Sequence, residues 1–305
     1  MSIEHRYVSI RGLTLHCAVA GDGPLVVLLH GFPESWYSWR HQIPALATRF
    51  RVVAPDLRGY NESDKPRGVR AYQLDELVAD VEALIAAFGA CDAAIVGHDW
   101  GGGLAWTFAM ERPRLTRTLA VLNCPHPGIF AQALRGSPRQ LLRSWYMFFF
   151  QIPWLPETLL GLGHAAAVGR AVRDSAMVPG AITDEDLRVL RDAASRPGAL
   201  RSAINYYRAV FRQQARADSP AWLRRLAGWT DEPASRRTLA DWPRIAAPTR
   251  LIWGEQDVAL GKELTYGMEP LFTGPFDVHY IPESGHWVQQ ERPERVNQLL
   301  LDFLQ

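Results

Sequence analysis

The chain has 305 residues, of which 48% are hydrophobic and 21% charged, and its formal net charge is +1. This apolar content suffices for a packed core and excludes a disordered chain, and the balanced charge argues against a nucleic-acid partner. The three cysteines form no CxxC pair, so we expect no disulfide framework, no metal site and a reducing, cytoplasmic location.

No membrane partner and no secretion are expected either. The N-terminus is charged and has no apolar stretch of the kind that a secretory signal contains. The longest apolar run in the middle of the chain, Trp145–Phe150, is far shorter than the roughly 20 residues that a membrane helix needs.

The first third of the chain alternates strand and helix patterns. A hairpin is predicted for Tyr7–Ile10 and Leu13–Val19, with its turn at Arg11-Gly12. Aliphatic runs without a polar face predict strands buried on both sides of a parallel sheet. These runs are Pro24–Leu29, Phe50–Ala54, Ala93–Val96, Thr118–Leu122 and Thr249–Trp253. Apolar residues recur at helical spacing from Leu74 to Phe88, and Gly89 follows as a helix C-cap.

Alternating strands and helices predict an α/β fold with a mostly parallel, doubly wound sheet. After Cys124 no buried strand is evident until Ile245, and the segment between contains amphipathic stretches broken by Pro and Gly. We therefore predict a helical cap, or lid, domain over residues 128–240, inserted into a core formed by residues 1–127 and 241–305. Amphipathic stretches are Gln140–Phe150, Asp184–Ala194 and Gly198–Arg216.

The segment Gly97–Gly102 (GHDWGG) follows a predicted buried strand and precedes a helical segment, Leu104–Met110. A sharp strand–turn–helix with small flanking residues is the context of the nucleophile elbow in the α/β-hydrolase fold. Its central residue is usually serine, but here it is Asp99. A carboxylate can displace a leaving group at an sp³ carbon, which forms an ester that water must then cleave. The alternative interpretation is an aspartate in a surface turn.

Cleavage of such an ester needs a general base, and in this fold a histidine follows the nucleophile and the acid in the chain. His286 lies after Gly285, just before a predicted terminal helix, Arg292–Leu304. His279 is a competitor, but it falls within a predicted strand, Asp277–Ile281. His286 is therefore the predicted base.

The acid that orients this histidine should follow a late strand. Asp257 comes just after Thr249–Trp253 and is our prediction, with Glu255 as the alternative. The other position that this fold uses lies after Thr118–Leu122, where residues 123–126 read NCPH and contain no carboxylate. An oxyanion hole is predicted from the backbone N–H groups of Phe32, in the loop His30–Pro33, and Trp100, which follows the nucleophile.

Taken together, the chain resembles the epoxide hydrolases of the α/β-hydrolase fold. The matching segments are His30–Arg40, Pro55–Pro66, Gly97–Gly102, Trp253–Asp257 and Ser284–Trp287. They occur in the family's order and span most of the core. One departure is Asn61, where the family often has glycine; asparagine tolerates a left-handed backbone, so we attach little weight to it.

The resemblance implies that two cap tyrosines hold the epoxide oxygen. One family segment, ending in Gln-x-Pro, is similar to residues 146–153 and implies Tyr146. The other, Asn-aromatic-Tyr-Arg, is similar to residues 205–208 and implies Tyr207, with Tyr206 as the alternative if the register is shifted. An alkoxide is a poor leaving group unless a donor stabilises and protonates it. Two phenol O–H groups can bind the epoxide oxygen and supply that proton.

These residues predict opening of an epoxide by Asp99, followed by hydrolysis of the ester to a vicinal diol, with no cofactor and no metal ion. The high aromatic content indicates a small apolar epoxide substrate. Candidate pocket residues are Trp36, Phe148, Phe149 and Trp154. Haloalkane or haloacid dehalogenase activity is the closest alternative, since Trp100 could bind halide; an ester hydrolase and a non-catalytic binding protein are further ones. The oligomeric state, monomer or homodimer, is left open.

Overall fold

The computed structural model describes residues 2–219, residue 225 and residues 238–304. One eight-stranded sheet has the order β1-β2-β4-β3-β5-β6-β7-β8. The strands are β1 (Glu4–Ile10), β2 (Leu13–Ala20), β3 (Leu25–Leu29), β4 (Arg51–Pro55), β5 (Ala93–His98), β6 (Thr116–Leu122), β7 (Thr249–Gly254) and β8 (Phe276–Ile281). β2 pairs antiparallel with β1 and β4, and the other neighbouring strands pair in parallel. The predicted α/β fold with a mostly parallel sheet is confirmed.

The central strands are apolar throughout because helices cover both faces of the sheet. In β3, Val27 and Leu29 belong to one buried cluster, and Val26 and Leu28 belong to another, as the two-residue period of a strand requires. Helices α2 (Leu74–Ala87) and α3 (Trp100–Glu111) pack into the first cluster. The second contains residues of α1 (Gln42–Leu46) and of the last helix, Pro293–Phe303.

Between β6 and β7 the described residues form helices and no strand. These helices, which we call the insertion, are α4 (Pro127–Gly136), α5 (Pro138–Arg143), α6 (Trp145–Phe149), α7 (Leu155–Ser175), α8 (Asp184–Ser195) and α9 (Ala199–Ala217). The predicted stretch Gln140–Phe150 is divided at Ser144, and α7 has non-helical backbone from Leu162 to Ala165. The cap boundaries 128–240 stay a prediction, since residues 220–224 and 226–237 lie outside the described residues.

The sheet brings the predicted chemistry to one edge. Loops after β3, β5, β7 and β8 all leave the carboxyl ends of parallel strands, where ligands of open α/β sheets bind. The insertion starts after β6 at the same edge. Two short helices, α10 (Val288–Glu291) and α11 (Pro293–Phe303), close the described chain. Within residues 2–219 and 238–304, no helix combines the length and apolarity needed to cross a bilayer.

Candidate active site

Asp99 lies at the bend between β5 and α3 with φ 50° and ψ −120°. This backbone conformation is unfavourable for a residue with a side chain, and such strain concentrates at functional sites. Two glycines let neighbouring segments approach the bend. A Cβ on Gly31 would lie 2.4 Å from the Cβ of Asp99, and one on Gly101 would lie 2.0 Å from the carbonyl oxygen of Leu29. The small residues of both loops therefore have a steric role.

The two carboxylate oxygens of Asp99 face different partners. Oδ1 accepts a hydrogen bond from the backbone N–H of Phe32 at 2.7 Å. Oδ2 lies 3.7 Å from Nε2 of His286. Burial opposes the charged form, but His286 and then the Phe32 N–H hold the pKa of Asp99 below its ordinary value. Asp99 is thus kept as a carboxylate, with one oxygen fixed and the other directed at the histidine.

His286 follows β8 and is bound on its other ring nitrogen by Asp257. The Nδ1 of His286 lies 2.7 Å from Oδ2 of Asp257, and both side chains are buried. Burial disfavours the imidazolium, but the charges of Asp257 and Asp99 hold the pKa of His286 well above its ordinary value. The structure therefore brings Asp99, His286 and Asp257 together in the order that sequence reasoning predicted.

Asp257 is held by further donors. Its Oδ1 accepts from the N–H groups of Ala259 and Leu260 at 2.8 and 2.9 Å, and its Oδ2 accepts from Nδ2 of Asn123 at 2.8 Å. Burial is the largest influence on its pKa and raises it, yet His286 and these donors lower the pKa overall. Asn123 was missed as a functional residue, although it occupies the position after β6 where a carboxylate was sought.

The alternative acid and base are engaged elsewhere. Glu255 accepts a hydrogen bond from Lys262 at 2.6 Å, and both side chains are partly exposed. His279 lies on β8, 3.6 Å from Asp277.

The described residues contain no group of three or more His, Cys, Asp or Glu side chains placed to hold a metal ion.

A buried network behind the site was also missed. The Nε2 of His98 lies 2.8 Å from the carbonyl oxygen of His286, and its Nδ1 lies 2.9 Å from Oε2 of Glu34. Both ring nitrogens of His98 thus face acceptors. Glu34 in turn accepts from the side-chain amides of Gln289 and Gln290, at 3.2 and 2.8 Å. This network ties the loop of the base to the loop after β3; its sequence signal is the acid in HGFPE and the histidine before Asp99.

The two predicted tyrosines come together above the elbow. The rings of Tyr146 and Tyr207 are 5.9 Å apart, and Tyr207 packs edge-on against Phe32 and Trp100, with ring centroids 5.4 and 4.9 Å apart. Burial first, and then the charge of Asp99, raise the pKa of both phenols above the ordinary value. Both therefore keep their protons at neutral pH, as hydrogen-bond donors must.

The ring of Tyr206 contacts Trp100, with centroids 5.5 Å apart, but its hydroxyl is directed to the core. It is buried, and its hydroxyl donates to the carbonyl oxygen of Arg58 at 2.8 Å. Its ring also packs against Tyr60 and Tyr72 of the core. Tyr206 therefore anchors α9 to the core, whereas Tyr207 lies beside Tyr146. These contacts support Tyr207 rather than Tyr206 as the cap donor, which stays a prediction.

The four candidate pocket residues have different surroundings. Phe149 is partly buried and lies in the apolar cluster that contains Tyr146 and Tyr207. Phe148 packs at 5.2 Å against Phe211, and 46% of it is exposed. Phe150, which was not selected, is buried 4.9 Å from Tyr207.

Trp36 and Trp154 are not brought to the nucleophile. The ring of Trp36 lies 5.0 Å from His5 and 5.6 Å from Tyr37, beside the N-terminal hairpin. Trp154 is 81% exposed at the start of α7. These placements argue against both as pocket residues. A high tryptophan content does not indicate where each tryptophan lies. It could not show that Trp36 packs at the hairpin and Trp154 is exposed at a helix end, and that neither lies beside Asp99.

Comparison with known proteins agrees with this geometry. The family model of the alpha/beta hydrolase fold matches residues 24–293. Epoxide hydrolase B of Mycobacterium tuberculosis is 35% identical over an alignment that covers 100% of this chain and 99% of that protein. The chain belongs to the epoxide hydrolases of the α/β-hydrolase fold. The resemblance inferred from sequence motifs is confirmed.

Other members of the epoxide hydrolase family match along the same length. Epoxide hydrolase 3 of Xenopus tropicalis is 35% identical, and the alignment covers 99% of this chain and 78% of that protein. The crystal structure of a Bacillus megaterium epoxide hydrolase with an inhibitor superposes with a TM-score of 0.84 at 31% identity, covering 98% and 99% of the two chains. The similarity therefore includes the insertion as well as the core.

Proposed function

We propose that the chain hydrolyses small apolar epoxides to vicinal diols through a covalent ester on Asp99. The observation that carries the proposal is that the two oxygens of this carboxylate have different partners. Oδ1 is bound by the Phe32 N–H at 2.7 Å, while Oδ2 is free of backbone donors and lies 3.7 Å from His286 Nε2. Two buried phenols of the insertion, Tyr146 and Tyr207, lie near enough to the same carboxylate that its charge adds to burial in raising their pKa.

In the first step, Oδ2 of Asp99 attacks an epoxide carbon from the face opposite the ring oxygen. The carbon–oxygen bond breaks, and its electron pair goes to the oxygen, which receives a proton from Tyr146 or Tyr207. A weak nucleophile suffices because ring strain and this proton transfer assist the departure of the oxygen.

In the second step, His286 removes a proton from a water molecule that attacks the ester carbonyl. Ester formation removes the negative charge of Asp99, which is one of the influences that raise the pKa of His286. Its loss lowers the pKa of His286, so a larger fraction of the imidazole is neutral and able to accept a proton once the ester exists, and Asp257 stabilises the imidazolium that forms. Oδ1 becomes the oxyanion, with the Phe32 N–H already in place and the Trp100 N–H as the second donor. When this intermediate collapses, the bond between the carboxyl carbon of Asp99 and the alkyl-bound Oδ2 breaks, the departing oxygen takes the proton from the imidazolium, and the diol leaves. Transfer of the proton of the resulting Asp99 carboxylic acid to the tyrosinate formed in the first step restores the enzyme.

The dehalogenase alternative is not favoured. A halide leaves without a proton and has no need of paired phenols, whereas Tyr146 and Tyr207 meet above Asp99. The relatives described above carry epoxide hydrolase names. Trp100, the candidate halide donor, packs edge-on against Tyr207 with ring centroids 4.9 Å apart, so its ring supports one of the tyrosines.

The experiment is to trap the ester. His286→Ala protein mixed with an aryl epoxide should gain the mass of one epoxide, on the peptide that contains Asp99. The matched control is the double variant Asp99→Ala/His286→Ala, which should gain nothing. Diol formation by the unmodified chain and halide release from bromoalkanes should be measured in parallel. A folded His286→Ala protein without adduct, or an adduct on another residue, contradicts the mechanism.

A further inference from the structure

The outer side of the insertion exposes a large apolar surface. Of the twelve large hydrophobic residues exposed among those described, nine lie between positions 141 and 162. Leu142, Trp145 and Trp154 are the most exposed, at 74%, 63% and 81%. Scattered apolar residues are normal on protein surfaces, but such a concentration within 22 successive residues points to an interaction site. We call these nine side chains the outer apolar face: Leu141, Leu142, Trp145, Phe148, Ile152, Trp154, Leu155, Leu159 and Leu162.

The segment that carries this face is packed against and hydrogen-bonded to the rest of the insertion. Trp145 packs against Phe149 with ring centroids 6.1 Å apart, and Phe148 packs against Phe211 of α9 at 5.2 Å. Arg208 of α9 donates to the carbonyl oxygens of Phe150 and Ile152 at 2.8 Å each. The turn between α6 and α7, which carries part of this face, is thus tied to α9 through its backbone.

The charge around the face is mostly positive. Residues 127–175, which form α4 to α7, contain five arginines and two carboxylates, Glu157 and Asp174, in a chain whose net charge is only +1. Arg143 and Arg173 are paired with Glu263 and Asp184. Glu157 is paired with Arg208. Arg135, Arg139 and Arg212 are exposed and make no ion pair with any residue in the described ranges. Arg139 precedes Leu142 by three residues on α5, and Arg212 follows Phe211, so positive charge adjoins the apolar surface.

We propose that the outer apolar face binds the surface of an anionic lipid bilayer. Tryptophan and leucine side chains would enter the boundary between headgroups and acyl chains, and the arginines would meet lipid phosphates. Each arginine near an anionic surface changes binding by about fivefold. A second copy of the chain fits less well, because a two-fold interface would set one arginine-rich face against another.

The test is sedimentation of the full chain with vesicles of equal parts phosphatidylcholine and phosphatidylglycerol, compared with phosphatidylcholine alone. We expect binding to the anionic vesicles that weakens as salt is added. The apolar variant Leu142→Ser/Trp145→Ser/Trp154→Ser and the charge variant Arg135→Gln/Arg139→Gln/Arg212→Gln should each lower the partition coefficient at least tenfold. Matched controls are Tyr7→Ser/Tyr266→Ser, which are exposed elsewhere, and Arg49→Gln/Arg67→Gln/Arg114→Gln; neither should change binding.

Three results would overturn the proposal. The first is no binding to either type of vesicle by the unmodified chain. The second is binding that the controls weaken as much as the variants do. The third is a dimer, detected by sedimentation velocity, that the apolar variant dissociates while vesicles remain unbound; the face would then join two copies. Thermal melting of every variant shows that a loss of binding is not a loss of folding.

Discussion

Replacing Tyr207 by phenylalanine removes one hydroxyl and leaves the ring in its place. The ring is buried by edge-on contacts with Phe32, Trp100 and Phe150, with centroids 4.9 to 5.4 Å away, so Tyr207→Phe should fold normally. The epoxide oxygen would keep only Tyr146 as a donor. Loss of one such preorganised donor costs about 10²–10³ in rate, or about 2.7–4 kcal/mol.

Tyr206→Phe is the matched control, one residue away on the same helix. The hydroxyl of Tyr206 donates to the buried carbonyl of Arg58 at 2.8 Å, and its loss leaves that acceptor unpaired. We expect this variant to lose about 1–3 kcal/mol of stability and to form the ester at nearly the unmodified rate. The two substitutions thus separate a chemical role from a structural one.

The assay is a single-turnover experiment with enzyme in excess over an aryl epoxide. Samples quenched at increasing times and analysed by intact mass give the rate of ester formation. Thermal or denaturant unfolding of both variants gives the change in stability. Slow ester formation by Tyr206→Phe together with an unaffected Tyr207→Phe would refute the assignment of the phenol donor.

Three further predictions concern the second half of the reaction. Asp257→Asn should slow ester decay by at least about 100-fold, because the imidazolium of His286 loses its counter-charge; accumulation of ester at steady state checks this, and unchanged decay contradicts it. Glu34→Gln should lower the melting temperature and slow ester decay. The new amide N–H₂ would face groups that now donate to the carboxylate, and His98, which supports His286, would be held less firmly. A variant with normal stability and normal ester decay would show that the network is dispensable. The rate of ester decay should fall as the pH drops through the pKa of His286. Ester formation should persist to lower pH and be lost only as Asp99 is protonated, at a pKa below its ordinary value. Single-turnover rates across pH measure both steps, and loss of ester formation at a higher pH than loss of ester decay would be inconsistent with the assigned roles.

Much of the fold was readable from the sequence because its signals are local. Short aliphatic runs such as Pro24–Leu29 favour strands buried on both faces, and the observed bounds differ from the predicted ones by a few residues at the ends. The helix predicted from Leu74 to Phe88 is observed from Leu74 to Ala87. The elbow was predicted for the same reason: a strand, a bend with glycines and a helix are encoded within about a dozen residues.

The positions of Asp99, Asp257 and His286 also followed from the sequence, because each comes at the carboxyl end of a predicted parallel strand and all such ends meet at one edge. What only the tertiary structure decided is which way side chains point within a helix or loop. Tyr206 and Tyr207 are adjacent on α9, about 100° apart around its axis, and packing against the core alone determines which one faces Asp99. Likewise, burial of Glu34 beside His98 depends on contacts between loops far apart in the chain, which no local pattern encodes.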